Sequence, residues 1–154
     1  MIDGVLLRPL PFPNSKRLVN VWENNLKRNI PRFIAAPANY YDWRKQNQAF
    51  SALGAYQPNT FNLASKEGEP EQYLGAISDR GFFDALGVQP AIGRIFTEEE
   101  DQPGRDGVVI LGNGVWRQRF IGDPKIVGQT LDINGRQRTV IGVMPEGFEY
   151  PRNR

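Results

Sequence analysis

The run PAIGRIFTEEEDQPGRDGVVIL, Pro90 to Leu111, continues through Gly112-Asn113-Gly114 into VWRQRF at Val115 to Phe120. Its second half decides the fold. Val108 to Leu111 is a short unbroken apolar run, the best candidate in the chain for a central strand. Gly112 and Asn113 interrupt it. Val115, Trp116, Arg119 and Phe120 then recur at helical spacing until Gly122 and Pro124 stop the segment. Strand, tight turn and helix in that order predict a mixed domain in which helices pack on a sheet. Just upstream, Thr97 followed by Glu98, Glu99, Glu100 and Asp101 has the form of a capped first turn, where negative charge favours a helix N-terminus. Gln102, Pro103 and Gly104 end it quickly.

Downstream, Gln129 to Ile133 and Arg136 to Val143 flank Asn134-Gly135, the strongest hairpin signal in the chain. A two-residue loop pairs Ile133 with Arg136. On that register Leu131, Ile133 and Val140 share a face with Arg136 and Arg138, so the tip reaches solvent or a partner while the base is buried. The closing MPEGFEYP is irregular, with Phe148 and Tyr150 placed to cover an edge.

Upstream, Asp79 caps a short helix that carries Phe82, Phe83 and Leu86 on one side and stops at Gly87, with Pro90 beyond. Leu53 to Gln57, Thr60 to Ala64 and Gln72 to Ser78 read as three short strands of a small meander, with the turn-like SKEGEP between the last two. Pro37 and Asn39 open a helix running to about Phe50, in which Tyr40, Trp43 and Phe50 share a face. Arg17 to Glu23 alternates like a strand buried on both sides, and Asn24 to Ile34 reads as a polar loop. Residues 1–16 hold Pro9, Pro11 and Pro13 in alternate positions, which makes a stiff connector. There is no internal repeat.

Composition narrows the function. The 154 residues are 40% hydrophobic and suit one domain, or one with an appended lobe. Nineteen basic and 17 acidic residues are mixed along the chain, so a net charge of +2 does not mark a nucleic-acid binder. Absence of cysteine rules out disulfides and thiolate metal sites, and absence of histidine removes zinc hydrolases and Ser/His or Cys/His pairs. No stretch approaches the length of a membrane span, and the opening MIDGVLLRPLPFP is not a signal peptide.

The remaining chemistry is thin. Glu98 to Asp101 is the one dense carboxylate group, but neighbouring helical residues diverge and the spacing is not that of a calcium loop. A glycosidase would need a second carboxylate, such as Glu146 or Asp84, to converge on it in a cleft. Gly112-Asn113-Gly114 matches no phosphate-binding signature. The pairs Arg117/Arg119 and Arg136/Arg138 lack the interleaved exposed aromatics of a nucleic-acid surface. No catalytic, cofactor-binding or metal-binding residues are assigned, and the chain does not read as an enzyme. The residues of consequence are scaffold: Trp22, Trp43, Phe82, Phe83, Trp116 and Phe120 in the core, and glycines 87, 93, 122 and 135 in turns.

Several segments in one order resemble a known family. LLRPLPFP (Leu6 to Pro13) with RLVNVWE, APANYYDWRKQNQAF (Ala36 to Phe50), GFFDALGVQPAIGRIF (Gly81 to Phe96) and VWRQRFIGDPKIVGQTLDINGRQRTVIGVMPEGFEYP (Val115 to Pro151) are similar to the extracytoplasmic core domain of MacB-like ABC transporter permeases of the acidobacterial, often duplicated, type. The resemblance implies an α+β fold: a porter-like lobe of βαβ-type units with a small inserted second lobe, several short strands and about three to four short helices. It implies that residues 1–16 lead from a membrane helix that is missing here, and that residues 17–154 form the core domain, truncated at its C-terminus. It further implies a place on the periplasmic face of the bacterial inner membrane and a non-catalytic role coupling ATP-driven movement to export or to an extracytoplasmic partner. Partners would be the rest of the permease with its membrane helices, a cytoplasmic ABC ATPase acting indirectly, a partner protein and a second copy. The isolated fragment is expected to be soluble. A rival reading is a secreted carbohydrate- or peptide-binding module, which would need several of Tyr40, Tyr41, Trp43 and Tyr56 together on the surface.

Overall fold

A computed structural model describes residues 23–25, 30–33, 45–46, 52–102 and 104–148. Eight strands are present there: β1 Glu23–Asn25, β2 Ile30–Phe33, β3 Tyr56–Leu63, β4 Glu71–Ser78, β5 Ile92–Gly93, β6 Val108–Leu111, β7 Thr130–Ile133 and β8 Arg136–Val143. Two α-helices join them, α1 Arg80–Leu86 and α2 Asn113–Phe120, with 3₁₀ turns at Glu99–Asp101 and Pro124–Ile126. The fold is α+β. β1 and β2 pair antiparallel by themselves, and the other six strands form one sheet. Its order is β4-β3-β7-β8-β5, with β6 bonded to β8.

The hairpin read from Asn134-Gly135 lies at the middle of that sheet. Asn134 and Gly135 have φ of 53° and 76°, the positive pair that a two-residue hairpin of right-handed strands requires, and Ile133 opposes Arg136 as expected. β8 is exposed at Arg136 and Gln137 and buried from Val140 through Val143. That buried half needs cover on every side. β7 pairs antiparallel with its first half, β5 antiparallel with Gly142 and Val143, and β6 parallel along Thr139 to Val143. Because β6 and β8 are parallel, the chain must cross over between them, and α2 makes that crossing before β7 enters. This is a βαβ-type unit of the kind the family resemblance implied.

The apolar run on β6 separates two clusters. Val109 and Leu111 join Ile126, Val140, Val143, Trp116 and Phe120, whereas Ile110 joins Phe82, Phe83, Leu86, Val88 and Met144. Alternation on a strand thus serves a core on each side, with α1 over one and α2 over the other. Among the described residues β6 has one strand neighbour, β8, rather than the two of a central strand. Phe83 anchors the first cluster, edge-on to Phe82 and Phe96 and stacked with Phe148. Phe148 therefore closes over the core as expected, while Tyr150 lies outside the described residues.

Helix α1 matches its signals. Asp79 Oδ1 accepts from Phe82 N at 2.9 Å, and Gly87 ends the helix at φ 67°. The four glycines read as turn residues, 87, 93, 122 and 135, all have positive φ, but Gly93 lies in strand β5 rather than in a turn. Gly93 has a second reason to lack a side chain, since a Cβ there would lie 2.1 Å from the Ile141 carbonyl oxygen.

Three expectations are corrected. Leu53 to Gln57 and Thr60 to Ala64 are not separate strands: Tyr56–Leu63 is one continuous strand, so the meander is a hairpin. Pro58 suggests a break but has none to make, because it pairs only on one side. The polar loop Asn24 to Ile34 contains parts of β1 and β2, since backbone pairing does not need the side-chain alternation that sequence reading looks for. Trp116 and Phe120 are half-buried at the rim of their cluster, not in the core, because α2 presents only part of its surface to the sheet. Trp22, Trp43 and most of the helix expected after Pro37 lie outside the described residues.

Phe82, 6% exposed, and Trp116, half-buried, should differ in a denaturant titration. We expect Phe82→Ala to cost about 3–5 kcal/mol and Trp116→Ala about 2 kcal/mol, and equal losses would contradict the division of the core.

Candidate functional site

The β3–β4 hairpin meets the rest of the sheet at its Leu63 end, and the contact there is mostly polar. Leu63 opposes Ile133, the Ala64 N–H donates to the Asp132 carbonyl at 3.1 Å, and the Asn134 N–H donates to the Asn62 carbonyl at 2.9 Å. Asn134 Oδ1 also accepts from Asn62 N at 2.8 Å. One residue thus turns the β7–β8 hairpin and clamps the neighbouring one. Asparagine suits both tasks, since it tolerates the left-handed backbone and carries a short acceptor.

Arg119 makes the second clamp, from α2. Its side chain is 16% exposed, its guanidinium lies 2.8 Å from Glu71 Oε1, and it donates to the Ala64 carbonyl at 2.9 Å. The Tyr73 hydroxyl donates to the other oxygen of Glu71. The Tyr73 hydrogen bond, helped by the Arg119 charge, holds the Glu71 carboxyl below its ordinary pKa, and the same bond pushes the Tyr73 phenol up. A groove of about 620 Å³ opens beside this network, lined among others by Ser65, Lys66, Gln118 and Asp132. Its residues come from β3, β4, α2 and β7, so it marks where the two hairpins and the helix are locked together.

The sequence-predicted candidates are dispersed. Glu100 forms a two-bonded ion pair with Arg94, at 2.7 and 3.1 Å, and accepts from Thr97 N at 2.8 Å while its own N–H reaches Thr97 Oγ1 at 3.3 Å. That is a reciprocal cap on a single 3₁₀ turn. Asp101 accepts from the Arg80 N–H at the start of α1, and Glu99 pairs with Arg105 at the surface. Glu146 pairs with Arg117 and Asp84 with Arg80, so neither converges on the acidic run. Among the described residues no group of three potential metal ligands occurs. Asn113 spends its side chain on the Met144 carbonyl, tying the Gly112–Gly114 turn to the end of β8. Arg138 bonds to Asp106, and Arg119 to Glu71. Of the four aromatics from which a carbohydrate- or peptide-binding surface would draw several, Tyr56 is half-buried, 5.4 Å from the Phe82 ring, and the other three lie outside the described residues.

Sequence reading missed Arg119–Glu71–Tyr73 and the second role of Asn134. The Asn-Gly turn was visible, but nothing local joins Asn134 to Asn62, seventy-two positions away.

Comparison with known proteins agrees with this architecture. The family model described as MacB-like periplasmic core domain matches residues 1–153. The crystal structure of the extracellular domain of the noncanonic ABC-type transporter YknZ from Gram-positive bacteria is similar, with TM-score 0.59 and 21% identity over 73% of this chain and 60% of that one. The periplasmic region of MacB from Actinobacillus actinomycetemcomitans matches at TM-score 0.49 and 20% identity, over 79% of this chain and 56% of that one. The chain therefore spans less than two thirds of either structure. No curated protein matches. Among the described residues no helix is long and apolar enough to cross a membrane.

Two measurements check the clamps. Asn134→Gly keeps the turn but loses the Asn62 bond and should cost about 1 kcal/mol, whereas Asn134→Ala also strains the left-handed backbone and should cost about 2–3 kcal/mol. Glu100, whose ion pair with Arg94 lowers its pKa from 4.5, has its charged form favoured in the folded state. Its contribution is therefore full above that ordinary value and lost as pH falls through the lowered one. Glu100→Gln should flatten the decline of stability below about pH 4.5, and an unchanged acid limb would remove Glu100 from that role.

Proposed function

The chain belongs to the family of MacB-like periplasmic core domains, and from that premise we propose that it is a non-catalytic extracytoplasmic module of an ABC-type permease. In this reading it carries ATP-driven movement of the membrane helices to an exported substrate or an extracytoplasmic partner. The family match along 1–153 is the observation that carries the proposal. Physical support comes from the junction. A part that transmits displacement must move as one piece, and the polar clamps at Asn134 and Arg119 tie the β3–β4 hairpin to α2 and to the β7–β8 hairpin.

The partners proposed are the remainder of the permease, whose membrane helices flank residues 1–16 and 17–154 taken as connector and core domain. A cytoplasmic ABC ATPase acts on them indirectly. The location proposed is the periplasmic face of the bacterial inner membrane. The acidic run supports the non-catalytic reading, because Glu99, Glu100 and Asp101 are each engaged in a local ion pair or cap.

Absence of cysteine makes the test direct. Gln137→Cys places a single thiol on the exposed tip of the β7–β8 hairpin. In the full permease in cells, a membrane-impermeant maleimide applied from the periplasmic side should label it. With a spin label there and a second one on the membrane-helix part of the same reconstituted permease, the distance between them should change between nucleotide-free and ATP-trapped states. Protection from the reagent, or one distance distribution in every nucleotide state, would overturn the proposal.

A further inference from the structure

Asn-Gly occurs twice in the chain, at Asn113-Gly114 and Asn134-Gly135. The dipeptide carries a chemistry of its own. The glycine backbone nitrogen attacks the asparagine side-chain amide carbon, and the new C–N bond closes a five-membered succinimide. The glycine N–H gives its proton to a base in solvent, and the amide nitrogen takes one up as it leaves as ammonia. Water then opens the ring at one of its two carbonyls, giving aspartate or isoaspartate, and no oxidant or cofactor takes part. Glycine favours the attack because no side chain shields its nitrogen. At both sites the place of a Cβ on the glycine is open, with nothing within 4 Å. Local chemistry and local access are equal, so the fold alone separates the two.

Each asparagine is pinned, but against different things. Asn113 is the first residue of α2, and its Nδ2 donates to the Met144 carbonyl at 3.2 Å. Met144 is 3% exposed, and its own N–H donates to the Leu111 carbonyl at 2.9 Å. Freeing Asn113 therefore means unwinding the first turn of α2 against the core. Asn134 is held by the Asn62 N–H, which meets Oδ1 at 2.8 Å, and by a left-handed backbone at φ 53°. Ring closure requires its side chain to leave Asn62 and the following peptide plane to rotate out of the turn. That opening is local. Asn134 to Gln137 are exposed, and the junction they share with β3 is mostly polar. Opening an exposed tip costs less than opening a segment packed on a core.

We infer that Asn134-Gly135 is a deamidation site of the folded chain, gated by opening of the hairpin junction, and that its isoaspartyl product unlatches the β3–β4 hairpin. The two products differ in their effect. Aspartate at position 134 retains a side-chain oxygen that accepts from the Asn62 N–H. Isoaspartate routes the main chain through the former side chain and lengthens the two-residue loop by one backbone atom. The turn that sets Ile133 against Arg136 is then lost, and with it the acceptor for Asn62. The inference stands independently of the permease reading.

Incubation of the chain at mildly alkaline pH, followed by peptide mapping with mass spectrometry, gives the rate at each Asn-Gly. Asn134 should convert about tenfold faster than Asn113 in the folded chain, and the two rates should agree within about twofold in denaturant. Asn62→Pro removes the N–H that holds Oδ1, on the side of β3 that does not bond β4. It should raise the rate at Asn134 severalfold and leave Asn113 unchanged. After chromatographic separation of the products, the Ala64 N–H, which bonds to the Asp132 carbonyl, should exchange with deuterium faster in the isoaspartyl form than in the aspartyl form. Gating is refuted by equal rates at the two sites in the folded chain, by Asn113 reacting first, or by a difference that persists in denaturant. Equal Ala64 exchange in the two products refutes the unlatching.

Discussion

Strand β8 is the constraint from which the rest of the structure follows. Val140 and Val143 are fully buried, and the backbone between them carries donors and acceptors that water cannot reach. They are met by β5 antiparallel and β6 parallel, and by Gly128 and Gln129, just before β7, which bond both backbone groups of Val140. An antiparallel neighbour can follow from a two-residue turn, and β7 does. A parallel neighbour cannot, so a crossover is obligatory, and α2 fills it. The register shift between Val109 and Ile110 leaves Ile141 as the extra residue of β8, and Val140 and Val143 lie in one cluster while Ile110 joins the other. Once both faces are apolar, each needs a helix, and α1 and α2 supply one each.

Charge is spent on joining pieces. Glu100, Asp101, Asp79 and Glu71 each neutralise or cap something within reach: a guanidinium, a helix start, a clamp between hairpins. Exposed pairs such as Arg105 with Glu99 contribute little by themselves. The largely buried Arg119 is different, because it bonds at once to the Ala64 carbonyl and to Glu71 and so joins α2 to both strands of the β3–β4 hairpin. That hairpin has little apolar contact with the core beyond Tyr56 and Leu63. Its orientation depends on the polar junction. For a module that relays displacement, the same junction decides whether the hairpin moves with the sheet.

Local signals were legible wherever one residue type has few places to go. Asn134-Gly135 specified a hairpin and its register, Asp79 and Gly87 bounded α1, and the apolar run at Val108 to Leu111 marked a strand. Legibility failed where a local signal had a nonlocal excuse. Pro58 falls where the two strand readings parted, yet its lost N–H lies on the outer side of β3, which among the described residues bonds only at its Leu63 end. Trp116 argued for the core by size, yet α2 sits at the rim and the indole N–H bonds to the Asp123 carbonyl near the surface. The polar run after Glu23 hid a strand pair, because backbone pairing there leaves no mark on side-chain pattern.

The sequence by itself determined most element types from Asp79 to Val143 and their turn chemistry, which rest on short-range sterics, and the family with its α+β class, which rests on the order of motifs. Absence of histidine and cysteine set the limits on chemistry in the same way. Tertiary structure alone decided that β6 joins β8 in parallel, that Asn134 reaches Asn62, and that Glu71 takes both Arg119 and Tyr73. Those outcomes depend on which backbone groups remain unsatisfied after the local elements have formed, and that is known only when distant segments are brought together.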